Sequence, residues 1–278
     1  MQLTEQQRRF FEAFGYLGFP GLITDDIGWI TDEFEDVFRR CTGAGTDIPS
    51  HTGGERTCIV PSVGQSERLC GLLDDPRILG IIAGLLGDEF SYLAGDSNFY
   101  SGDTHWHSDS WSRDVRWIKI AFYFNPLTRD TGCLRVIPWS HRLDDPYATK
   151  IHDELPNLEE NWGVSPQEVS SVPLEVKPGE LVLFNQRLKH AAFGGNQNRR
   201  MFTMNFCEQC QTPEQIESLR DTIGAQARFW VTQMHSHLIR QTGPESRTKY
   251  LQQITDNEDI LVERIEQERE SRKESSRG

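Results

Sequence analysis

The sequence is short of positive charge. Its 278 residues carry 29 Lys and Arg against 42 Asp and Glu, a formal net charge of −13. Nucleic acid and anionic membrane both call for a basic face, so neither is an expected partner. Long apolar runs are also missing, and none approaches the ~18–20 residues of a membrane span. The opening MQLTEQQRRFFEAFG lacks a basic segment followed by an apolar one, so it does not read as a secretion signal. Cysteine is sparse and irregular. Cys41, Cys58, Cys70 and Cys133 are scattered, and only Cys207 and Cys210 form a CxxC. No disulfide framework and no four-ligand zinc spacing emerges, so the thiols are expected free and the protein cytoplasmic. A phosphate-cradling glycine loop and βαβ alternation are absent as well, which argues against a nucleotide-binding parallel sheet.

What is present is enough for a real core. Apolar residues make up 36% and charged residues 26%, which argues against disorder throughout. Apolar positions Phe10, Phe11, Phe14 and Leu17 predict a helix over 4–17, broken by Gly18-Phe19-Pro20-Gly21. Thr24 or Asp25 is placed to cap a second helix carrying Ile27, Ile30, Phe34 and Val37. A further helix is expected over 75–87. The middle of the chain changes to short apolar or β-branched runs between turn residues, notably Phe90–Leu93, Trp117–Phe124, Cys133–Pro138, Leu181–Asn185 and Phe202–Phe206. That pattern suggests an antiparallel sandwich or barrel. Helical periodicity returns from Pro213 through Met234. The tail from 256 is dense in Glu and Arg, with Ile260, Leu261 and Ile265 as its apolar stripe; it reads as a solvated helix fraying into disorder. The expected class is α+β: a double-stranded β-helix, or jelly roll, flanked by N- and C-terminal helices. Its division is a jelly-roll core with N-terminal helices over 1–210 and a helical extension over 211–278.

The densest polar cluster is Thr104-His105-Trp106-His107-Ser108-Asp109. Side chains alternate along a strand, so His105, His107 and Asp109 would share one face and Ser108 would point away. His107 and Asp109 then offer an imidazole and a carboxylate to one point. His190, beyond the strand Leu181–Asn185, is the best distant third ligand. Two His and one carboxylate on one face of a metal suit non-haem Fe(II), because the opposite face stays open. An isolated HxD is also common by chance. His152-x-Glu154 has the same form, but its neighbours predict a loop.

Further blocks take the comparison beyond one motif. His105-Trp106-His107-Ser108-Asp109, Gly132-Cys133-Leu134-Arg135-Val136-Ile137-Pro138-Trp139-Ser140-His141, and Pro178-Gly179-Glu180 through Phe184 and His190 stand in order along the chain. Together with Phe14 to Leu22 they resemble the phytanoyl-CoA dioxygenase family of Fe(II)/2-oxoglutarate oxygenases. The likeness is nearest to its ectoine-hydroxylase-like, small-metabolite members and covers about residues 10–206. It implies that His107, Asp109 and His190 hold Fe(II), with 2-oxoglutarate and O₂ as cosubstrates. It also implies an Arg beyond the distal His for the far carboxylate of 2-oxoglutarate. Arg199 and Arg200 both qualify; counting back from Phe206 favours Arg199, and alternation lets only one face the pocket. The position where relatives carry Ser or Thr is Ala192 here, and Thr203, Tyr123 or Lys119 could compensate. Asn98 and Tyr100 are candidate cosubstrate contacts. His105, Trp111, Arg113 and Arg116 are candidate substrate contacts, the last three on a lid-like segment. An intact Asp109 favours hydroxylation over halogenation, because halogenating relatives lack that carboxylate.

The expected reaction oxidises an unactivated C–H bond of a small polar metabolite, releasing succinate and CO₂. Two rivals stand beside it: a non-oxidative isomerase or hydrolase on a jelly roll, and a non-catalytic metal-binding module. The first would not need an Arg beyond His190; the intact triad speaks against the second, and Ala192 slightly for it.

Overall fold

Thr4 opens the first helix through a capping box with Gln7, whose side chain returns to the Thr4 N–H at 2.9 Å. Helix α1 (Glu5–Phe14) stops earlier than the apolar period predicts. Gly15 takes φ +83° and its N–H bonds to the Phe11 carbonyl. The chain then leaves as strand β1 (Tyr16–Phe19). A Cβ at Gly15 would lie 2.7 Å from His141 Nδ1, so both conformation and space select glycine there. The structure, a computed structural model, describes residues 1–195 and 198–271.

Helix α2 (Ile27–Cys41) begins after Asp26 rather than after Thr24 or Asp25. The Asp26 carboxylate does not cap it; it accepts from Trp29 Nε1 and Arg77 instead. Ile30, Phe34, Val37 and Phe38 form its buried face. Strand β2 (Thr57–Ile59) and the short helical turn α3 (Glu67–Cys70) follow. Helix α4 (Pro76–Leu86) lies close to the predicted 75–87. Asp75 caps it and Pro76 stands in its first turn, where a missing N–H costs nothing.

Strands then follow in sequence: β3 (Phe90–Ala94), β4 (Ser97–Tyr100), β5 (Thr104–His107), β6 (Trp117–Tyr123) and β7 (Leu134–Val136), of which β4 was not expected. Helices α5 (Pro146–Glu154) and α6 (Leu158–Trp162) interrupt them. Strands β8 (Val172–Leu174), β9 (Leu181–Asn185), β10 (His190–Ala192) and β11 (Arg199–Glu208) complete two antiparallel sheets. The larger runs β1-β9-β6-β11-β4-β2, with β3 also paired to β11. The smaller runs β5-β10-β7-β8. The class is therefore α+β. His152-x-Glu154 lies in helix α5, not in the loop its composition suggested; Asp145 caps that helix and Pro146 starts it.

Strand alternation divides β11 between two environments. Phe202, Met204 and Phe206 enter the main core with Phe34, Ile120, Phe122 and Leu183. Arg199, Met201 and Thr203 turn to the other face, opposite Tyr100, Asn98 and Ala121. One strand thus carries packing on one side and polar groups on the other.

The helical period from Pro213 is broken where a single helix was expected. Helix α7 (Pro213–Gly224) gives way to a tight turn over Ala225–Phe229, and Trp230 follows at φ +60°. Helices α8 (His237–Gln241), α9 (Glu245–Thr255) and α10 (Ile260–Ser271) complete the described chain. Leu219, Ile223, Met234, Ile254, Leu261 and Ile265 share a buried cluster with Leu93, Trp117 and Cys207 of the large sheet. The charged segment is therefore anchored as far as Ile265. The expectation of disorder for 272–278 lies outside the described residues. All six cysteines are free thiols, and Cys207 and Cys210 lie in this apolar cluster rather than at a metal. No helix among the described residues is long and apolar enough to cross a membrane.

Candidate metal centre

The small sheet brings the two imidazoles together. His190 on β10 pairs directly with His107 on β5, and their ring centroids lie 4.2 Å apart. Asp109 arrives differently from the alternation argument, because β5 ends at His107. The turn is fixed by the Gln186 carbonyl, which accepts from the Asp109 and Ser110 N–H groups at 2.9 and 3.1 Å. Gln186 is in turn held by its side-chain bond to Asn205 Oδ1 at 2.9 Å. Ser108 points away as expected, and its hydroxyl donates to the Arg187 carbonyl at 2.7 Å.

The donor set fits a metal ion. One donor atom from each of His107, Asp109 and His190 lies within 4.8 Å of the others. Each Nδ1 sits 2.8 Å from a backbone carbonyl, of His105 and Leu188 respectively. A carbonyl requires the proton on Nδ1, so both Nε2 lone pairs are free for a metal. Both Nε2 atoms stand 3.7 Å from the Asp109 carboxylate, beyond hydrogen-bond distance. Burial, reinforced by neighbouring His107, pushes His190 down to about 3. Burial also lowers His107. Lys119, His190 and His107 outweigh burial at Asp109 and hold its carboxyl below the usual range. Two neutral imidazoles and one carboxylate are the protonation states that ligation requires.

The cavity beside this triad is lined by Tyr100, Thr104, Lys119, Tyr123, Gly132 and Arg199, among others. Arg199 is 3% exposed; its Nη1 donates to the Gly132 carbonyl at 2.7 Å and its guanidinium lies 4.6 Å from the centre of the Tyr100 ring. Gly132 has φ +94°, and a Cβ there would meet Arg199 Nη1 at 2.9 Å. Lys119 reaches the Asp109 carboxylate at 2.7 Å.

Several expected contacts lie elsewhere. Arg200, on the opposite face of β11, pairs with Glu35 of α2 and bonds to Asn125 Oδ1. Asn98 and Thr203 are fully buried, and both donate to the carboxylate of Asp96 rather than lining the cavity. Arg116 ties α1 to α4 through Glu12 and the Leu85 carbonyl. Arg113 is exposed and paired with Asp144 at 2.8 Å. His105 is exposed, with its ring 5.4 Å from that of His107. Trp111 stacks on His152 at 4.1 Å, with Lys189 Nζ 5.3 Å from its ring centre. Thr104 was not singled out from the sequence. Its hydroxyl accepts from the Ala192 N–H at 2.9 Å and so stands beside the residue that replaces the usual Ser or Thr. A hydroxyl side chain at the strand position paired with Ala192 was the available signal.

A phytanoyl-CoA dioxygenase (PhyH) family model matches residues 11–201. The chain belongs to the phytanoyl-CoA dioxygenase family. It is a 2-oxoglutarate-dependent non-haem iron dioxygenase, and His107, Asp109 and His190 can hold its iron. Solved structures share its fold. EctD from S. alaskensis with bound Fe is 22% identical, with TM-score 0.57, over 76% of this chain and 80% of that one. HygX from Streptomyces hygroscopicus, with nickel and 2-oxoglutarate bound, is 16% identical, with TM-score 0.57, over 76% and 90%. The epimerase SnoN, in complex with Fe3+, alpha ketoglutarate and nogalamycin RO, is 16% identical, with TM-score 0.56, over 73% and 83%. No curated protein sequence matches the chain.

Proposed function

We propose that this family member hydroxylates an unactivated C–H bond of a small polar metabolite, with release of succinate and CO₂, on a double-stranded β-helix formed by its two sheets. The observation that carries the reading is the joint lining of one cavity by His107, Asp109, His190 and Arg199. A non-oxidative metal enzyme has no use for a buried guanidinium opposite the ligands.

In this reading His107, Asp109 and His190 hold Fe(II), and Arg199 holds the far carboxylate of 2-oxoglutarate. When bound, iron and 2-oxoglutarate supply the oxidising power for C–H cleavage. The protein's own residues order the site. Leu188 and His105 carbonyls fix the ligand tautomers, and Gln186 fixes Asp109. Gly132 and Tyr100 aim Arg199, whose planar fork suits a carboxylate. Thr104 supplies a hydroxyl beside Ala192. The apolar walls Leu134, Phe184 and Met201 exclude water from the cosubstrate. Asp109 occupies the position whose loss accompanies halogenation, which favours hydroxylation.

The test is anaerobic reconstitution with Fe(II) and 2-oxoglutarate, followed by visible absorption. A weak charge-transfer band in wild type that is absent from His107→Ala is the expected result. A wild type that binds iron but gives no band with 2-oxoglutarate would refute the assignment. Succinate formation coupled to a candidate substrate would then identify the reaction.

A further inference from the structure

A second cavity, of about 850 Å³, is linked to the metal cavity by Arg56, which lines it and lies over the ring of Tyr100, a residue of the metal cavity. Its size falls within the range of small-molecule sites, roughly 300–1,000 Å³. The 47–60 segment forms one wall, and Phe229 and Trp230 form the other. These two aromatics lie beyond residue 201, where the family match ends. The chain's own C-terminal extension therefore closes this space.

Arg56 stands at the inner end. Its guanidinium lies 5.0 Å from the centre of the Tyr100 ring, while Arg199 packs on the same ring at 4.6 Å. Its Nε donates to Asn98 Oδ1 at 2.7 Å, and Nη2 reaches Cys58 Sγ at 3.4 Å. Among the described residues its hydrogen bonds leave from Nε and Nη2 only. Nη1 is left to a ligand.

The charges of the interior are unequal. Arg56, Lys119 and Arg199 are three cations, set against the two carboxylates of Asp96 and Asp109. Asp96 is already occupied by Thr203 and Asn98. A ferrous ion and a 2-oxoglutarate dianion cancel one another, so one positive charge remains when both are bound. Arg56 is half-buried, and a cation in that setting gains from an anionic partner. Asp47 and Glu55, the acidic residues of the second cavity, are exposed at its rim and do not cancel it.

We infer that the second cavity is the substrate chamber and that its substrate is an organic monoanion, with a carboxylate on Arg56 and an apolar body against Ile48, Val60, Phe229 and Trp230. The inference rests on the oxygenase reading above and narrows it. The carboxylate sits at the inner end, beside Tyr100, so the carbons next to it are the ones nearest the metal cavity. Specificity then resides in the 47–60 segment and the C-terminal extension rather than in the iron ligands.

The test uses the Fe(II)/2-oxoglutarate holoenzyme under anaerobic conditions. Three acid and amide pairs are titrated by calorimetry: benzoate and benzamide, 3-phenylpropionate and 3-phenylpropionamide, hexanoate and hexanamide. At least one acid is expected to bind about tenfold or more tighter than its amide, because a site built for a charged group rejects the neutral analogue. Arg56→Gln should abolish that preference and keep the charge-transfer band. Arg56→Lys, which keeps the charge and the fold, should retain part of it. Phe229→Ala should weaken acid and amide alike. Equal binding of acid and amide in all three pairs, or a preference that survives Arg56→Gln, overturns the inference while the band leaves the oxygenase reading intact. An acid preference without a band keeps the anion site and sinks the oxygenase reading.

Discussion

Arg199 and Arg200 provide the sharpest test of the site, because the two neighbours differ in little except direction. Arg199 is 3% exposed and faces the metal cavity; the Arg200 side chain is 23% exposed and pairs with Glu35. Removing one partner of a buried, hydrogen-bonded charge pair costs about 2–5 kcal/mol. At 1.4 kcal/mol per tenfold, Arg199→Gln should weaken 2-oxoglutarate roughly 30- to 3,000-fold. Arg200→Gln loses a partly exposed pair worth at most ~1 kcal/mol, and its cost falls on stability rather than on the cosubstrate. The assay is anaerobic titration of the Fe(II) protein with 2-oxoglutarate, following the visible band, with iron binding measured separately. The assignment fails if Arg200→Gln weakens 2-oxoglutarate as much as Arg199→Gln does. It also fails if Arg199→Gln titrates like wild type.

Asp109→Ala should lower Fe(II) affinity by more than the 10–100-fold typical of outer partners of a metal site, as measured by equilibrium dialysis. Gly132→Ala should cost stability and weaken 2-oxoglutarate together, because φ +94° strains a Cβ that also meets Arg199 Nη1; Tm and the same titration would register both. Phe34→Ala should cost about 3–5 kcal/mol in urea unfolding, since its ring is fully buried against Phe38, Phe99 and Phe124. His235 is buried and pushed down to about 4. Its neutral form is therefore favoured by the fold, and its contribution is complete above about pH 6.5 and lost as pH falls toward 4. Burial accounts for the shift, and the loss should amount to about 3 kcal/mol. His235→Asn should reduce the loss of stability between pH 6.5 and 4, leaving the share of His190 and His141 in place; an unchanged slope would refute the reasoning.

The metal ligands were legible because local spacing and chain order constrain them strongly. His107 and Asp109 are two residues apart, and His190 follows the one apolar run that can place it opposite. The choice between Arg199 and Arg200 was legible only as a preference for Arg199, counted back from Phe206, because alternation fixes that the two diverge without fixing which way β11 faces. Register against Tyr100 and Phe99 turns Arg199 to the cavity. Asn98 and Thr203 looked like cosubstrate contacts because they lie on the inner face. What the sequence could not reveal was Asp96, whose carboxylate claims both. Arg116 failed for a different reason: its neighbours in sequence are lid residues, while its bonds run to α1 and α4. The early end of α1 was concealed by apolar positions that suit a helix and a strand equally, and Gly15 decided between them.

The two faces of β11 have an evolutionary consequence. A deletion of one residue within Phe202–Phe206 would shift the strand on one side of it by a single step against β6 and exchange that part's faces. Either Arg199 would be carried off the cavity or the buried residues beyond the deletion would be turned out of the core. Oxidation chemistry or folding would be lost in one event, so this strand can change only by substitution. The 47–54 stretch has no such register lock, because it forms no strand of either sheet, whereas Glu55 and Arg56 are tied to Ser101 and Asn98. Lineages of this enzyme can therefore change the length of 47–54 more readily than that of β11, and their diversity should accumulate there.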